Sequence, residues 1–205
     1  MTVGFAPDLE KWDAWRPEDA ARRFADMSAP WYVAAGWSID LFLGGGHREH
    51  EDLEVAIPAH RFDEFLPALD GLEIFVVGVP EDGQVTPLEH ARDSLPATHQ
   101  TWVREPETGF WRIDLFREPS DDETWICRRD DRIRMPIADA ILRTDDGIPY
   151  GRPEIALLYK AKAAREKDDA DFRAALPRLS GSARARLRGW IGLVHPGHAW
   201  LDALA

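Results

Sequence analysis

Two acids stand two positions apart in EDLEVAIP, residues 51–58: Asp52 and Glu54. The run has the length and composition of a strand, and a period of two puts both carboxylates on one face. Paired carboxylates are hard oxygen donors, a ligand set that suits magnesium, which completes its octahedron with waters and substrate phosphates. A third acid, Asp114, lies between Ile113 and Leu115 in WRIDLF, where an aspartate is disfavoured and needs compensation. If its strand lies beside the first, three carboxylates converge, as in two-metal phosphoryl chemistry. Upstream, Gly36-Trp37-Ser38 closes the apolar run WYVAAG. A strand ending at Gly36, with Ser38 as N-cap of a helix SIDLFLG, leaves backbone N–H groups free for a phosphate.

Other residues of chemical type read more plainly. The run Gly44-Gly45-Gly46 lacks the lysine and hydroxyl of a phosphate-binding loop and reads as a flexible hinge. His47 and His50 have no further His or Cys at zinc spacing and read as solvent-facing loop residues. Lys160, Lys162, Arg165 and Lys167 alternate with Glu166, Asp168 and Asp169, the pattern of an exposed helix. Trp102, Trp111 and Trp125 fall on candidate strands and read as core.

Strands and helices must position these groups. WYVAAG, DLEVAIP, EIFVVGV, THQTWVRE, WRIDLFRE and TWICRRD fit strand length and composition. PEDAARRFADM begins with a proline, a helix-start residue, and HRFDEFLPALDG is a second helix that Pro67 should bend or shorten. Beyond TDDGIPYGRP the apolar spacing becomes helical, through PEIALLYKAKAAREKDDADFRAALPRL and SARARLRGWIGLV. The expectation is an α/β (α+β) protein: a mixed-sheet lobe over residues 1–147 and a helical lobe over 148–205.

Bulk properties narrow the partners. With 44% hydrophobic and 30% charged residues the chain should fold. The single cysteine, Cys127, excludes an intrachain disulfide and suits a reducing compartment. The stretch MTVGFAPDLEKWDAW does not read as a signal peptide, and no apolar run is long enough to span a membrane, so a cytoplasmic protein is expected. The net charge of −12 repels nucleic-acid backbones and favours cationic small molecules. The basic run Arg184-Ala185-Arg186-Leu187-Arg188 is a local exception.

The order of turn, helix, acid-x-acid strand and distant aspartate resembles the nucleotidyltransferase superfamily of DNA polymerase beta type. More particularly, it is similar to the aminoglycoside-2''-adenylyltransferase and lincosamide nucleotidyltransferase group. The likeness rests on Gly36-Trp37-Ser38-Ile39-Asp40, Leu43-Gly44 and Arg48-Glu49-His50-Glu51-Asp52-Leu53-Glu54. It extends to Pro153-Glu154, Leu157-Leu158-Tyr159-Lys160, Arg165, Lys167-Asp168 and Asp171. Ala35 stands where that family's turn usually carries a second glycine, and Glu54 where its second metal ligand is often aspartate.

The resemblance implies transfer of a nucleoside monophosphate from an NTP, ATP first among them, to an acceptor hydroxyl, with two Mg2+ ions. It implies that Asp52 and Glu54 hold metal, and that Asp114 either ligates the second ion or takes the acceptor proton. It gives the β and γ phosphates to Gly36, Trp37 and Ser38, with Lys160 or Lys162, and Arg48, as further phosphate partners. The implied acceptor is a small molecule, cationic if the surplus carboxylates, among them Asp121-Asp122-Glu123 and Asp145-Asp146, serve to attract it. Two other readings share the fold: a catalytically silent nucleotide-binding or interaction module, and a toxin-like enzyme that nucleotidylates tRNA or protein.

Overall fold

The computed structural model describes residues 4–121 and 123–205, so Asp122 and the first three residues of the N-terminal stretch lie outside the described residues. In chain order the elements are α1 (Pro17–Arg23), β1 (Tyr32–Val33), α2 (Ala35–Leu43), β2 (Glu54–Pro58), β3 (Glu73–Val77), β4 (Val85–Pro87), α3 (Leu88–Ala91), β5 (Gln100–Arg104) and β6 (Trp111–Glu118). They continue with β7 (Thr124–Ile126), β8 (Arg134–Pro136), α4 (Ile137–Ala140), β9 (Ile141–Arg143), β10 (Pro149–Gly151), α5 (Pro153–Lys160), α6 (Glu166–Ala175), α7 (Gly181–Val194) and α8 (Trp200–Ala203). The chain forms two compact units, one from the residues up to Trp31 with Glu51–Ser120, the other from Tyr32–His50 with Asp121–Ala205. The division expected at 147/148 runs through the second unit, because α2 packs against α5 and α6.

In the first unit the strand order is β4-β3-β5-β6-β2. β2 runs parallel to β6, and the other neighbours are antiparallel. β2 is buried at Val55, Ala56 and Ile57 in succession, the mark of a parallel strand covered on both faces rather than one with a wet side. Trp111, Ile113 and Leu115 of β6 are likewise buried, with Phe75 and Val85 packed near Trp111. α1 starts at Pro17, where a missing N–H costs nothing, and Asp19 Oδ2 accepts the Arg16 amide at 2.9 Å. The segment Ala59–Leu69 is a 3-10 helix that contains Pro67, and it still buries Phe62, Phe65 and Leu69.

In the second unit the strands run β1-β10-β9, with β7-β8 as a separate hairpin. β1 is far shorter than WYVAAG suggested, because Ala35 takes φ +47° and turns the chain directly into α2. Gly44 ends α2 in the left-handed region at φ +89°, its amide donating to the carbonyls of the last turn. The long helical stretch after Arg152 divides into α5 and α6, with Ala164 at φ +43° between them. Ser180 caps α7, its hydroxyl accepting the Ala183 amide at 3.2 Å. Trp125, Leu157, Leu158, Phe172, Leu187 and Ile191 form the interior. Among the described residues no helix is long and apolar enough to cross a membrane.

Candidate functional site

β2 and β6 put Glu54 and Asp114 opposite each other as Cα partners, followed by Val55 with Leu115 and Ala56 with Phe116. In-register partners on parallel strands share a face, so the two carboxylates project to the same side. The Asp114 amide donates to Leu53 O at 2.9 Å, which ties β6 to the backbone between Asp52 and Glu54. Asp52 sits half-buried just before β2 rather than inside it.

Asp114 is 2% exposed. Its Oδ2 accepts from Gln100 Nε2 at 2.6 Å, while Oδ1 completes no hydrogen bond among the described residues. On the other side its antiparallel partner is Trp102, whose buried indole N–H completes no hydrogen bond yet stands close enough to the carboxyl to favour its charged form. Burial pushes the Asp114 carboxyl up to about 7, with the Asp52 charge adding to the rise and Gln100, Trp102 and the Thr101 amide drawing it back. A buried oxygen with a vacant lone pair beside a second carboxylate is the chemistry of a cation ligand. Among the described residues no three His, Cys, Asp or Glu side chains close into a group able to hold an ion by themselves. A partial set suits magnesium, which is commonly held by one or two carboxylates and completed by substrate phosphates.

Arg117, three residues on, is 2% exposed and was not anticipated from the sequence. Its guanidinium donates to Thr101 Oγ1 at 2.8 Å, Leu95 O at 2.6 Å and Thr98 Oγ1 at 2.7 Å. Burial depresses it to about 10, and the Asp114 charge opposes that fall. It fastens β5 and the turn before it to β6, which fixes the neighbourhood of Asp114.

In the second unit the expected phosphate cradle differs from its sequence reading. α2 begins at Ala35, so Ser38 lies one turn inside the helix and is not its N-cap. The Ser38 amide donates to Ala34 O at 3.2 Å and its Oγ donates to Ala35 O at 2.8 Å, so the hydroxyl proton is spent within the helix. Gly36 is where a side chain cannot fit: a Cβ there would stand 2.3 Å from Arg48 Nη2 and 2.8 Å from the His50 ring.

His50 is not the solvent-facing residue expected. Its ring stacks on Trp37 with centroids 4.4 Å apart, and its Nε2 lies 3.1 Å from Asp40 Oδ2. Burial and the Arg48 charge hold its imidazole below the usual value, against the pull of the Asp40 carboxylate. His47 is tied in as well, its amide donating to Asp40 Oδ2 at 3.2 Å and its Nε2 lying 3.4 Å from Asp171.

Lys160 is not on an exposed face either. It is 8% exposed, with Nζ 3.1 Å from Asp168 Oδ1 and 2.8 Å from Asp171 Oδ2. Arg48 donates through Nε to Asp171 Oδ1 at 2.9 Å and through Nη2 to Oδ2 at 3.2 Å. Burial by itself would raise Asp171, but the hydrogen bonds from Arg48 and Lys160 outweigh it and hold the carboxyl below its ordinary range. Asp168 is lowered in the same way by Arg165 and Lys160 against its burial.

The pattern of the aminoglycoside-2''-adenylyltransferase family matches residues 19–84, from α1 to the edge of β4. The fold is similar to that of the lincosamide antibiotic adenylyltransferase LnuA in its lincomycin-bound crystal structure, at 17% identity and a TM-score of 0.51, over 77% of this chain and 92% of that one. The chain shares the nucleotidyltransferase fold of these enzymes. The antibiotic-resistance factor ANT(2'')-Ia is similar over 91% of this chain and 92% of its own in a solution structure, with 13% identity and a TM-score of 0.57. Its crystal complex with adenylyl-2''-tobramycin matches at 12% identity and a TM-score of 0.57, over 86% of this chain and 95% of that one. No curated protein matches the sequence.

On this nucleotidyltransferase fold the basic run of α7 is largely committed to structure. Arg184 Nη2 donates to Leu176 O at 2.9 Å, and Arg186 Nη1 pairs with the buried Glu154 at 2.5 Å. A groove of about 750 Å3 on α7 and α8, lined by Gly181, Arg184, Ala185 and Arg188 among others, contains none of the residues singled out for chemistry. Trp111 and Trp125 are core, as their sequence positions suggested.

Proposed function

We propose that the protein is a metal-dependent nucleotidyltransferase that moves a nucleoside monophosphate from an NTP, ATP first among them, to a hydroxyl of a small cationic acceptor of the aminoglycoside kind. One observation carries the reading: Glu54 and Asp114 are paired in register, and the buried Asp114 keeps an oxygen with no completed hydrogen bond. A structural aspartate in a β-sheet interior would be expected to spend both oxygens, because an unmet buried acceptor costs about 1–3 kcal/mol.

In this reading Asp52 and Glu54 would hold divalent ions, with Asp114 either completing that set or taking the acceptor proton, and magnesium suits such oxygen donors. Bound there, such ions supply positive charge to the triphosphate and its developing negative charge. The acceptor hydroxyl oxygen forms a bond to the α-phosphorus, the bond from that phosphorus to the α–β bridging oxygen breaks, and pyrophosphate departs. Where Asp114 is free of metal, the hydroxyl proton passes to it, its carboxyl, held near 7, being matched to proton transfer at neutral pH. Gly36, Trp37 and Arg48 are assigned to the β and γ phosphates. Ser38, whose amide and hydroxyl are both spent within α2, is given no phosphate contact, and Lys160 acts through its aspartates.

The acceptor class rests on the family match over residues 19–84 and on the net charge of −12. Attraction between surplus carboxylates and a polyamine sugar is screened by salt, so the Michaelis constant for such an acceptor should rise with ionic strength. Pyrophosphate release assayed with kanamycin-like, lincosamide-like and neutral acceptors at low and high salt tests this. Transfer confined to neutral acceptors, or a salt-independent Michaelis constant for a cationic one, removes the electrostatic argument.

A further inference from the structure

Asp168 and Asp171 of α6 are both fully buried, and a buried carboxylate must be paired to persist. Asp168 has a local duty. It closes the capping box of its own helix, accepting the Arg165 amide at 3.1 Å and Arg165 Nε at 2.8 Å. Asp171 has none of that kind. Lys160 already supplies it with a cation at 2.8 Å, yet it also takes both Nε and Nη2 of Arg48, from a loop 123 residues away in sequence.

The consequence is felt at Arg48. A guanidinium has five N–H donors in a fixed plane. Nε and Nη2 face Asp171, and Nη1 donates to Glu49 O at 2.9 Å. So anchored, the group lies over the backbone of Gly36, with Nη2 2.3 Å from the point a Cβ would occupy. The Arg48 side chain keeps 22% of its surface exposed, so it is not sealed from solvent.

We propose that Asp171 is a positioning residue for the nucleotide: its two-point pairing with Arg48 fixes the guanidinium over Gly36, so that Arg48 is the side chain that meets the triphosphate. The inference rests on the nucleotidyltransferase reading and deepens it. It also explains why Ser38, with its hydroxyl turned back to Ala35 O, does not fill that role. Lys160 acts one step further out, holding Asp171 against burial. Arginine rather than lysine is required at position 48, because only a planar fork can satisfy a carboxylate along one edge and present further donors along another.

The test is calorimetric binding of MgATP and of AMP to the full chain, with melting curves, for wild type, Asp171→Asn, Arg48→Ala, Arg48→Lys and the Asp171→Asn/Arg48→Ala double variant. Asp171→Asn should weaken MgATP at least about tenfold, as one lost charge-assisted contact does, while AMP binding, which lacks the β and γ phosphates, stays the same. The double variant should bind no worse than Arg48→Ala, because the two residues act as one unit. Equal loss of MgATP and AMP, additive losses, or wild-type MgATP affinity in a folded Asp171→Asn overturns the inference. If Asp171→Asn does not fold, Arg48→Lys decides. A loss as large as that of Arg48→Ala supports the inference, and wild-type affinity overturns it. A wild-type protein that binds no MgATP overturns the nucleotidyltransferase reading and this inference together.

Discussion

Glu54 and Asp114 are Cα partners on adjacent parallel strands, and the Asp114 amide is hydrogen-bonded to Leu53 O at 2.9 Å, one residue before Glu54. The acid pair and the lone aspartate are therefore fixed to each other by backbone, not by flexible side chains. Substitutions that remove charge but keep shape should leave the first unit folded and change its chemistry.

Asp52→Asn should abolish transfer, by about 10²-fold or more, because it removes charge stabilisation without removing packing. Glu54→Gln should do the same, and Glu54→Asp should retain measurable turnover. Pyrophosphate release and melting temperature, measured side by side, check this. Wild-type turnover in Asp52→Asn makes the acid pair structural.

Asp114→Asn should lower turnover by about 10²–10⁴-fold with a smaller effect on nucleotide affinity, as loss of a proton acceptor does. Its effect on stability should have the opposite sign. A carboxyl raised to about 7 contributes stability that is full below the ordinary Asp range and is lost as pH rises through 7. In chelator at pH 8 the wild type carries this unfavourable buried charge and Asp114→Asn does not. The variant should melt higher than wild type at pH 8, and the gap should shrink at pH 5. A gap that is constant across pH contradicts the assignment.

Lys160 separates the two roles a basic residue can have here. Because it is buried between two aspartates, Lys160→Met should destabilise the protein by about 3–5 kcal/mol, the cost of breaking a buried pair by removing one partner. Asp168 and Asp171 are held below their ordinary range, so their stabilisation is present above it and is lost as pH falls through their folded values. The wild-type melting temperature should fall on acidification below about 4, and much of that dependence should vanish in Lys160→Met. Denaturant melts at pH 3 to 7 read both effects.

Ala35 occupies φ +47°, a conformation in which a Cβ costs about 1–2 kcal/mol. Ala35→Gly relieves that cost and gives back part of it as unfolded-state entropy, so a gain of up to about 1 kcal/mol is expected. Thermal melts of the two proteins settle the sign.

What the sequence disclosed and what it hid follow from the range of the interactions. The neighbouring strands of Asp114 and Glu54 were legible because a polar residue inside an apolar strand calls for a partner, and two strands of matching pattern offered one. The start of α2 was misplaced by one turn because a single left-handed alanine leaves no compositional trace, and Ser38 looked like a cap. β4, β8, β9 and β10 span three residues each, too short for any period to register. The knot of Arg48, Lys160, Asp168 and Asp171 was concealed by its own charges. Alternating acids and bases read as a wet helix face, and only a loop distant in sequence turns that face inward. His50 was misread for a related reason, since the space it fills exists only because Gly36 has no side chain.

The central claim is transfer chemistry at the paired carboxylates. The most direct measurement is pyrophosphate release from ATP by the wild-type chain with magnesium and a panel of amino-sugar acceptors, beside Asp52→Asn. Release should require both acceptor and metal and be absent in Asp52→Asn. Tight MgATP binding with no release for any acceptor, or release unchanged in Asp52→Asn, would contradict it.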